Sequence, residues 1–183
     1  MSRPRALSER VEDGHRWLRI ADPTWSDPLD PSFAAERGGR WNPPTSFATL
    51  YLNEDLVTAR MNLRDWAARW PWEPEDLRPD HAPVLVEATL PRDQDVADAH
   101  SPEGLHALGL PTTYPMRADG STVGHGTCQP IGELIRSDGL RGVRARSAQT
   151  PRGAGRELAW FPASARSRAH ERARHPFADW YWS

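Results

Sequence analysis

Between Ala21 and Pro44 the chain runs ADPTWSDPLDPSFAAERGGRWNPP, and the density of prolines, aspartates and glycines favours turns and extended backbone over helix. A connection of that length inside a domain-sized chain usually has a function of its own. It separates two short β-prone segments, Trp17-Leu18-Arg19-Ile20 and Ala48 to Leu52 (ATLYL). Strands and helices therefore do not alternate as a doubly wound sheet requires. With 38% hydrophobic and 26% charged residues over 183 positions, the chain has the apolar material for a core. The expectation is one α+β domain over 1–183, residues 1–15 loosely ordered and residues 163–183 forming a helical, aromatic extension.

Asn53-Glu54-Asp55 offers helix caps, and Leu56, Ala59, Leu63, Trp66 and Ala67 follow at helical spacing. This predicts a helix from Leu56 to Arg69, ended by Trp70-Pro71, with Asn62 near one edge of its buried face. VLVEATL, from Val84 to Leu90, is the clearest strand. Residues 91–127 read mostly as loop, with a short helix near Glu103 to Leu108. A helix from Thr127 to Asp138 is expected, capped by Thr127 and stopped by Gly139. Gly142 to Ser147 and Glu157 to Phe161 read as strands around a loop rich in glycine, proline and arginine. Trp180, Tyr181 and Trp182 suit core or interface cover.

Several function classes are disfavoured. The net charge of −2, with acids and bases mixed, lacks the footprint of a nucleic-acid binder. No membrane span or signal-like apolar stretch is present, so a cytoplasmic location is expected. The seven histidines lack HExxH spacing and Cys128 is the sole cysteine, so no metal site is expected and Cys128 reads as inert packing. There is no GxGxxG fingerprint and no Walker loop; a nucleotide would bind by another mode. All basic side chains other than histidine are arginines, whose planar fork suits phosphate. In Gly38-Gly39-Arg40-Trp41-Asn42-Pro43-Pro44, two glycines free the backbone beside Arg40 and two prolines stiffen the exit. Such a turn either presents Arg40 to an anion or pairs it locally, and the residues alone leave both open.

Taken in order, WLRI, the long loop into GGRWNPP, LYLNEDLVTA opening a helix, and GVRARS followed by a glycine-containing loop and ELAWFP resemble the RES family, from Trp17 to Phe161. The resemblance implies an ADP-ribosyltransferase-like fold of mixed sheets flanked by helices. It also implies a toxin that degrades NAD⁺ by hydrolysis or phosphorolysis, works without cofactor, forms a homodimer and pairs with an Xre-like helix-turn-helix antitoxin. By the same resemblance, the family arginines fall on Arg19 and Arg40, its tyrosine on Tyr51 and its serine on Ser147, while Asn62 stands at the glutamate position.

The chemistry of the bond suggests roles for these residues. Nicotinamide leaves as ribose C1′ becomes cation-like, so the site needs a grip on pyrophosphate, a surface for the ribose and negative charge near C1′. Arg19 and Arg40 suit the first task, Tyr51 the second, and Ser147 either touches ligand or orients a neighbour. The cleft is expected between the GGRWNPP loop, the Leu56 helix and the Ser147 strand. Asn62 carries no charge, which predicts weakened cleavage and a gain on Asn62→Glu; Glu54 and Glu87 read as surface charge rather than replacements. The alternatives are a module that holds NAD⁺ or ADP-ribose without turnover, and an enzyme that transfers ADP-ribose to protein.

Overall fold

A computed structural model describes residues 6–69, 71 and 73–183. Its strands are β1 (Ser8–Arg10), β2 (Trp17–Ala21), β3 (Leu50–Asn53), β4 (Val84–Thr89), β5 (Asp95–Ala99), β6 (Gly142–Arg146), β7 (Arg156–Trp160) and β8 (His170–His175). They form one mixed sheet in the order β1-β5-β6-β7-β3-β2-β4-β8, in which β5 and β6 run parallel and the other neighbours antiparallel. The helices are α1 (Ser32–Arg37), α2 (Leu56–Ala67), α3 (Pro102–Ala107), α4 (His125–Ser137) and α5 (Phe177–Tyr181). The mixed α+β class is as expected, with one continuous sheet.

Alternation along the strands sorts the core into two faces. On one face, Val143 and Ala145 of β6, Ala159 of β7 and Ala97 and Ala99 of β5 cluster with Leu105 of α3 and Cys128 and Ile135 of α4. Leu18, Ile20 and Leu85 cluster with Ala59 and Leu63 of α2 and with Phe177, Trp180 and Tyr181 of α5. The opposite face gathers Trp17, Leu50, Leu52, Val86, Ala88, Val96, Leu158 and Trp160 into a single cluster. Val96 of β5 and Val86 of β4 share it although those strands stand five places apart, so this apolar face runs along most of the sheet.

Six expectations are corrected. Residues 8–10, placed in a loose N-terminus, are strand β1, paired with β5; residues 1–5 lie outside the described residues. β5 itself falls in a stretch read as loop, and β8 in a tail read as helical. Inside the long connection, Ser32–Arg37 forms one short helix. α4 starts at His125, two residues before the expected start, with Gly124 rather than Thr127 as its cap. α2 keeps its predicted start, because the Asp55 side chain accepts the Thr58 N–H at 2.7 Å, but it ends at Ala67; Trp70, expected to end it, lies outside the described residues.

Candidate active site

A cleft of about 500 Å³ opens beside α2, well within the size range of ligand pockets. Arg19 and Ile20 of β2 lead into its wall, which the following turn continues with Asp22, Pro23 and Trp25. That turn is fixed by Asp22, whose carboxylate accepts the Thr24 N–H at 2.8 Å and hydroxyl at 2.6 Å. Tyr51 and Asn53 of β3 and Asn62, Leu63 and Trp66 of α2 supply a second side, and Leu77, His81 and Pro83 a third. Trp66, expected on the buried face of α2, is instead exposed at the cleft. Trp25 and Trp66 both stand about half exposed in the lining of the cleft.

The guanidinium of Arg19 makes no hydrogen bond or ion pair with any described residue and lies 5.9 Å from the Trp25 ring. Burial pushes its pKa down, opposed by the more distant Asp30 and Asp27. A desolvated guanidinium with free donors facing a cleft is a receptor for an anion.

Arg40 is placed elsewhere. It does not line the cleft; its Nη1 donates to the Val123 carbonyl at 2.6 Å, near Cys128. The GGRWNPP loop is therefore not the cleft wall expected of it. Its glycines serve another purpose: a Cβ on Gly39 would come within 2.6 Å of Tyr51 Cζ, so only glycine lets the phenol ring lie against this backbone. The Tyr51 hydroxyl accepts the Trp41 N–H at 2.9 Å and donates to Asn42 Oδ1 at 2.8 Å. Burial raises the Tyr51 pKa well above the ordinary phenol value. Tyr51 is a packed wall of the cleft whose hydroxyl is committed to the loop.

Both partners of that hydroxyl would be stranded in Tyr51→Phe, each at a cost of about 1–3 kcal/mol. We therefore expect the midpoint of thermal unfolding to fall by about 4 °C or more. A midpoint within a degree of wild type, together with weaker ligand binding, would put the hydroxyl on the ligand instead.

Asn53 and Asn62 line one end of the cleft, and the side chains of Glu157 and Ser147 join them behind it. Asn62 Nδ2 donates to Asn53 Oδ1 and, at 3.0 Å, to Glu157 Oε1 of β7. Ser147, fully buried just past β6, donates its hydroxyl to the same Glu157 oxygen and accepts the Gln149 N–H at 3.2 Å. The hydroxyl of Ser147 is thus spent on orienting Glu157 and on its own turn. Asn53 and Glu157 are cross-strand partners in the β3–β7 register, which brings the cluster together. Glu157 was missed by sequence reasoning, which saw only a strand residue. The one available signal was its place near the start of ELAWF, in a strand next to that of Tyr51, and no spacing rule reveals that adjacency.

The two carboxylates weighed from sequence lie apart from this cluster. Glu54 pairs with Arg144, Nε to Oε2 at 3.0 Å, and Glu87 pairs with Arg16 and with His175. Cys128 is buried, and that burial raises its pKa against the opposing pull of Arg40. In the folded protein at neutral pH it should resist iodoacetamide and react only after denaturation; rapid labelling of the native chain would reopen a nucleophilic role. Among the described residues no group of three His, Cys, Asp or Glu side chains could hold a metal ion, and no helix is long and apolar enough to cross a membrane.

The protein is a mixed α+β domain whose cleft carries the Arg19 guanidinium, the Trp25 and Trp66 indoles and the amides of Asn53 and Asn62. The chain belongs to the RES domain family, whose model matches residues 9–181. It is similar in structure to a chain of the M. tuberculosis MbcT-MbcA toxin-antitoxin complex, with a TM-score of 0.74 and 20% identity over 96% of this chain and 92% of that one. No curated protein matches the chain.

Proposed function

We propose that this protein is the toxin of a toxin–antitoxin pair and that it cleaves NAD⁺ between nicotinamide and ribose. Membership of the RES family and the fold shared with a chain of the MbcT-MbcA complex support the toxin role. The observation that carries the chemistry is the division of the cleft: Arg19, with no hydrogen-bond or ion-pair partner for its guanidinium among the described residues, beside Trp25, with Tyr51, Asn53 and Asn62 in the same cavity and Glu157 bonded behind Asn62. NAD⁺ has the matching parts, a pyrophosphate for the guanidinium, flat rings for the indoles and a ribose for the amides. Arg40 supports the site through the loop it ties down. The antitoxin is an Xre-like helix-turn-helix protein, the active form a homodimer and the compartment the cytoplasm.

Purified protein incubated with NAD⁺ should release nicotinamide, with ADP-ribose as co-product in water and its phosphate ester if phosphate is the acceptor. Co-expression with a helix-turn-helix protein encoded next to it should relieve growth arrest. Neither nicotinamide release nor binding of NAD⁺ by calorimetry would overturn the enzymatic reading. A second reading has an observation of its own: Asn62 is uncharged where the family resemblance puts glutamate, so the cleft would hold NAD⁺ or ADP-ribose without turnover. Binding with no nicotinamide release would select it.

A further inference from the structure

We infer that Glu157 supplies the negative charge of the NAD⁺-cleaving site, acting as its catalytic carboxylate with Asn62 as the group that positions it; this rests on the function proposed above. Three observations point to it. Glu157 lies within hydrogen-bond distance of Asn62, the residue of the polar cluster that lines the cleft from α2. Its Oε1 is held by Asn62 and by the fully buried Ser147, so the carboxylate has a fixed orientation. Its Oε2 has no partner among the described residues and is not sealed from solvent, and no described cation lies within ion-pair distance to neutralise it. A carboxylate bonded only to neutral donors has no cation competing with a ligand for it.

In the reaction, the bond from C1′ to the nicotinamide nitrogen breaks with its electron pair, and neutral nicotinamide departs. Glu157 faces the cation that develops at C1′. A water oxygen then bonds to C1′ and loses its proton, by way of Glu157 Oε2, to solvent. NAD⁺ and water give nicotinamide, ADP-ribose and one proton.

This placement reverses the expectation for position 62. Asn62→Glu would set a second carboxylate beside the first, at the 3.0 Å now spanned by a hydrogen bond. Two like charges so close repel or share a proton, so charge is not gained and the donor is lost. Nicotinamide release should fall, not rise.

The test compares four full-length proteins in NAD⁺ cleavage, NAD⁺ calorimetry and thermal melting: wild type, Glu157→Gln, Asn62→Glu, and the double variant Asn62→Glu/Glu157→Asn. Glu157→Gln keeps an oxygen for Asn62 and Ser147, so its melting point and NAD⁺ affinity should stay near wild type while turnover falls at least about a hundredfold. Asn62→Glu should lose about tenfold or more, and the transposed double variant should recover most of that loss. A cationic ribose analogue should bind wild type more tightly than Glu157→Gln. If wild type cleaves NAD⁺ and Glu157→Gln, folded, cleaves it within threefold as fast, the assignment fails while the function stands. If Glu157→Gln does not fold, the double variant decides, and no recovery relative to Asn62→Glu overturns the assignment. If wild type neither binds nor cleaves NAD⁺, the function fails and this assignment with it.

Discussion

Gly132→Ala is expected to lower the thermal unfolding midpoint by about 6–12 °C, which corresponds to about 3 kcal/mol for a chain of this size. Gly132 is buried in α4, and a Cβ there would come within 2.8 Å of the Trp41 carbonyl carbon and closer still to its oxygen. Both sides of that clash are backbone, so no side chain can rotate away and the helix must lift from the loop. The loop is the one that seats Tyr51, and α4 grips it elsewhere through Gln129, whose side chain donates to the Gly39 carbonyl at 3.0 Å. Loss of that seat should loosen the cleft and weaken NAD⁺ binding along with stability. Gly126→Ala is the control: it lies in the first turn of the same helix, has open space around it, and should be neutral or slightly stabilising. Equal stability of the two variants would show that α4 does not press on Trp41.

This contact illustrates where sequence reasoning reached and where it stopped. Elements whose own residues carry the signal were legible: α2 through its Asp55 cap and the spacing of Ala59, Leu63 and Ala67, and β4 through its alternating apolar residues. β5 reads DVADA, and aspartate and alanine are poor strand formers; it is a strand because β1 and β6 complete its hydrogen bonds on both sides. β8, HERARH, has no apolar face to announce it and is an edge strand held by β4. The 100–115 segment owes its course to Arg146, which donates to the carbonyls of His100 and Thr112 at 2.8 Å and of Tyr114 at 3.2 Å.

The same division runs through the site. Arg19, Tyr51 and Asn62 were singled out from sequence and line one cleft, with Ser147 joined to them through Glu157. What sequence could not supply is which ends of the long connection meet which strands. Thus Trp25, Leu77, His81 and Pro83, all from turn-rich connectors, appear as cleft walls only in three dimensions. Glu157 appears beside Asn62 only because β7 is the neighbour of β3.

Arg19→Ala is expected to weaken NAD⁺ binding by about ten- to a hundredfold, the range for losing a charge-assisted, two-point phosphate contact of about 1.5–3 kcal/mol. The sequence places Arg19 and Arg40 in the same role, and the structure gives a physical reason to separate them. Arg19 faces the cleft, desolvated and without a hydrogen-bond or ion-pair partner for its guanidinium among the described residues, so a phosphate that docks there replaces lost water without breaking such a bond. The Nη1 of Arg40 is already committed to the carbonyl of buried Val123, and the residue is not among those that line the cleft. Arg40→Ala should therefore cost stability, about 1–3 kcal/mol for stranding that carbonyl, and should change NAD⁺ affinity less than Arg19→Ala does. Arg19→Lys is the discriminating intermediate: it keeps the charge but not the planar fork, so its affinity should fall between wild type and alanine. Calorimetry with NAD⁺ and with ADP-ribose on all three folded variants checks the order. Both ligands carry the pyrophosphate, so the loss at Arg19 should be the same for each; a loss seen with NAD⁺ alone would move Arg19 to the nicotinamide end. An affinity loss larger at Arg40 than at Arg19 would place the pyrophosphate on the far side of Tyr51, outside the 500 Å³ cleft.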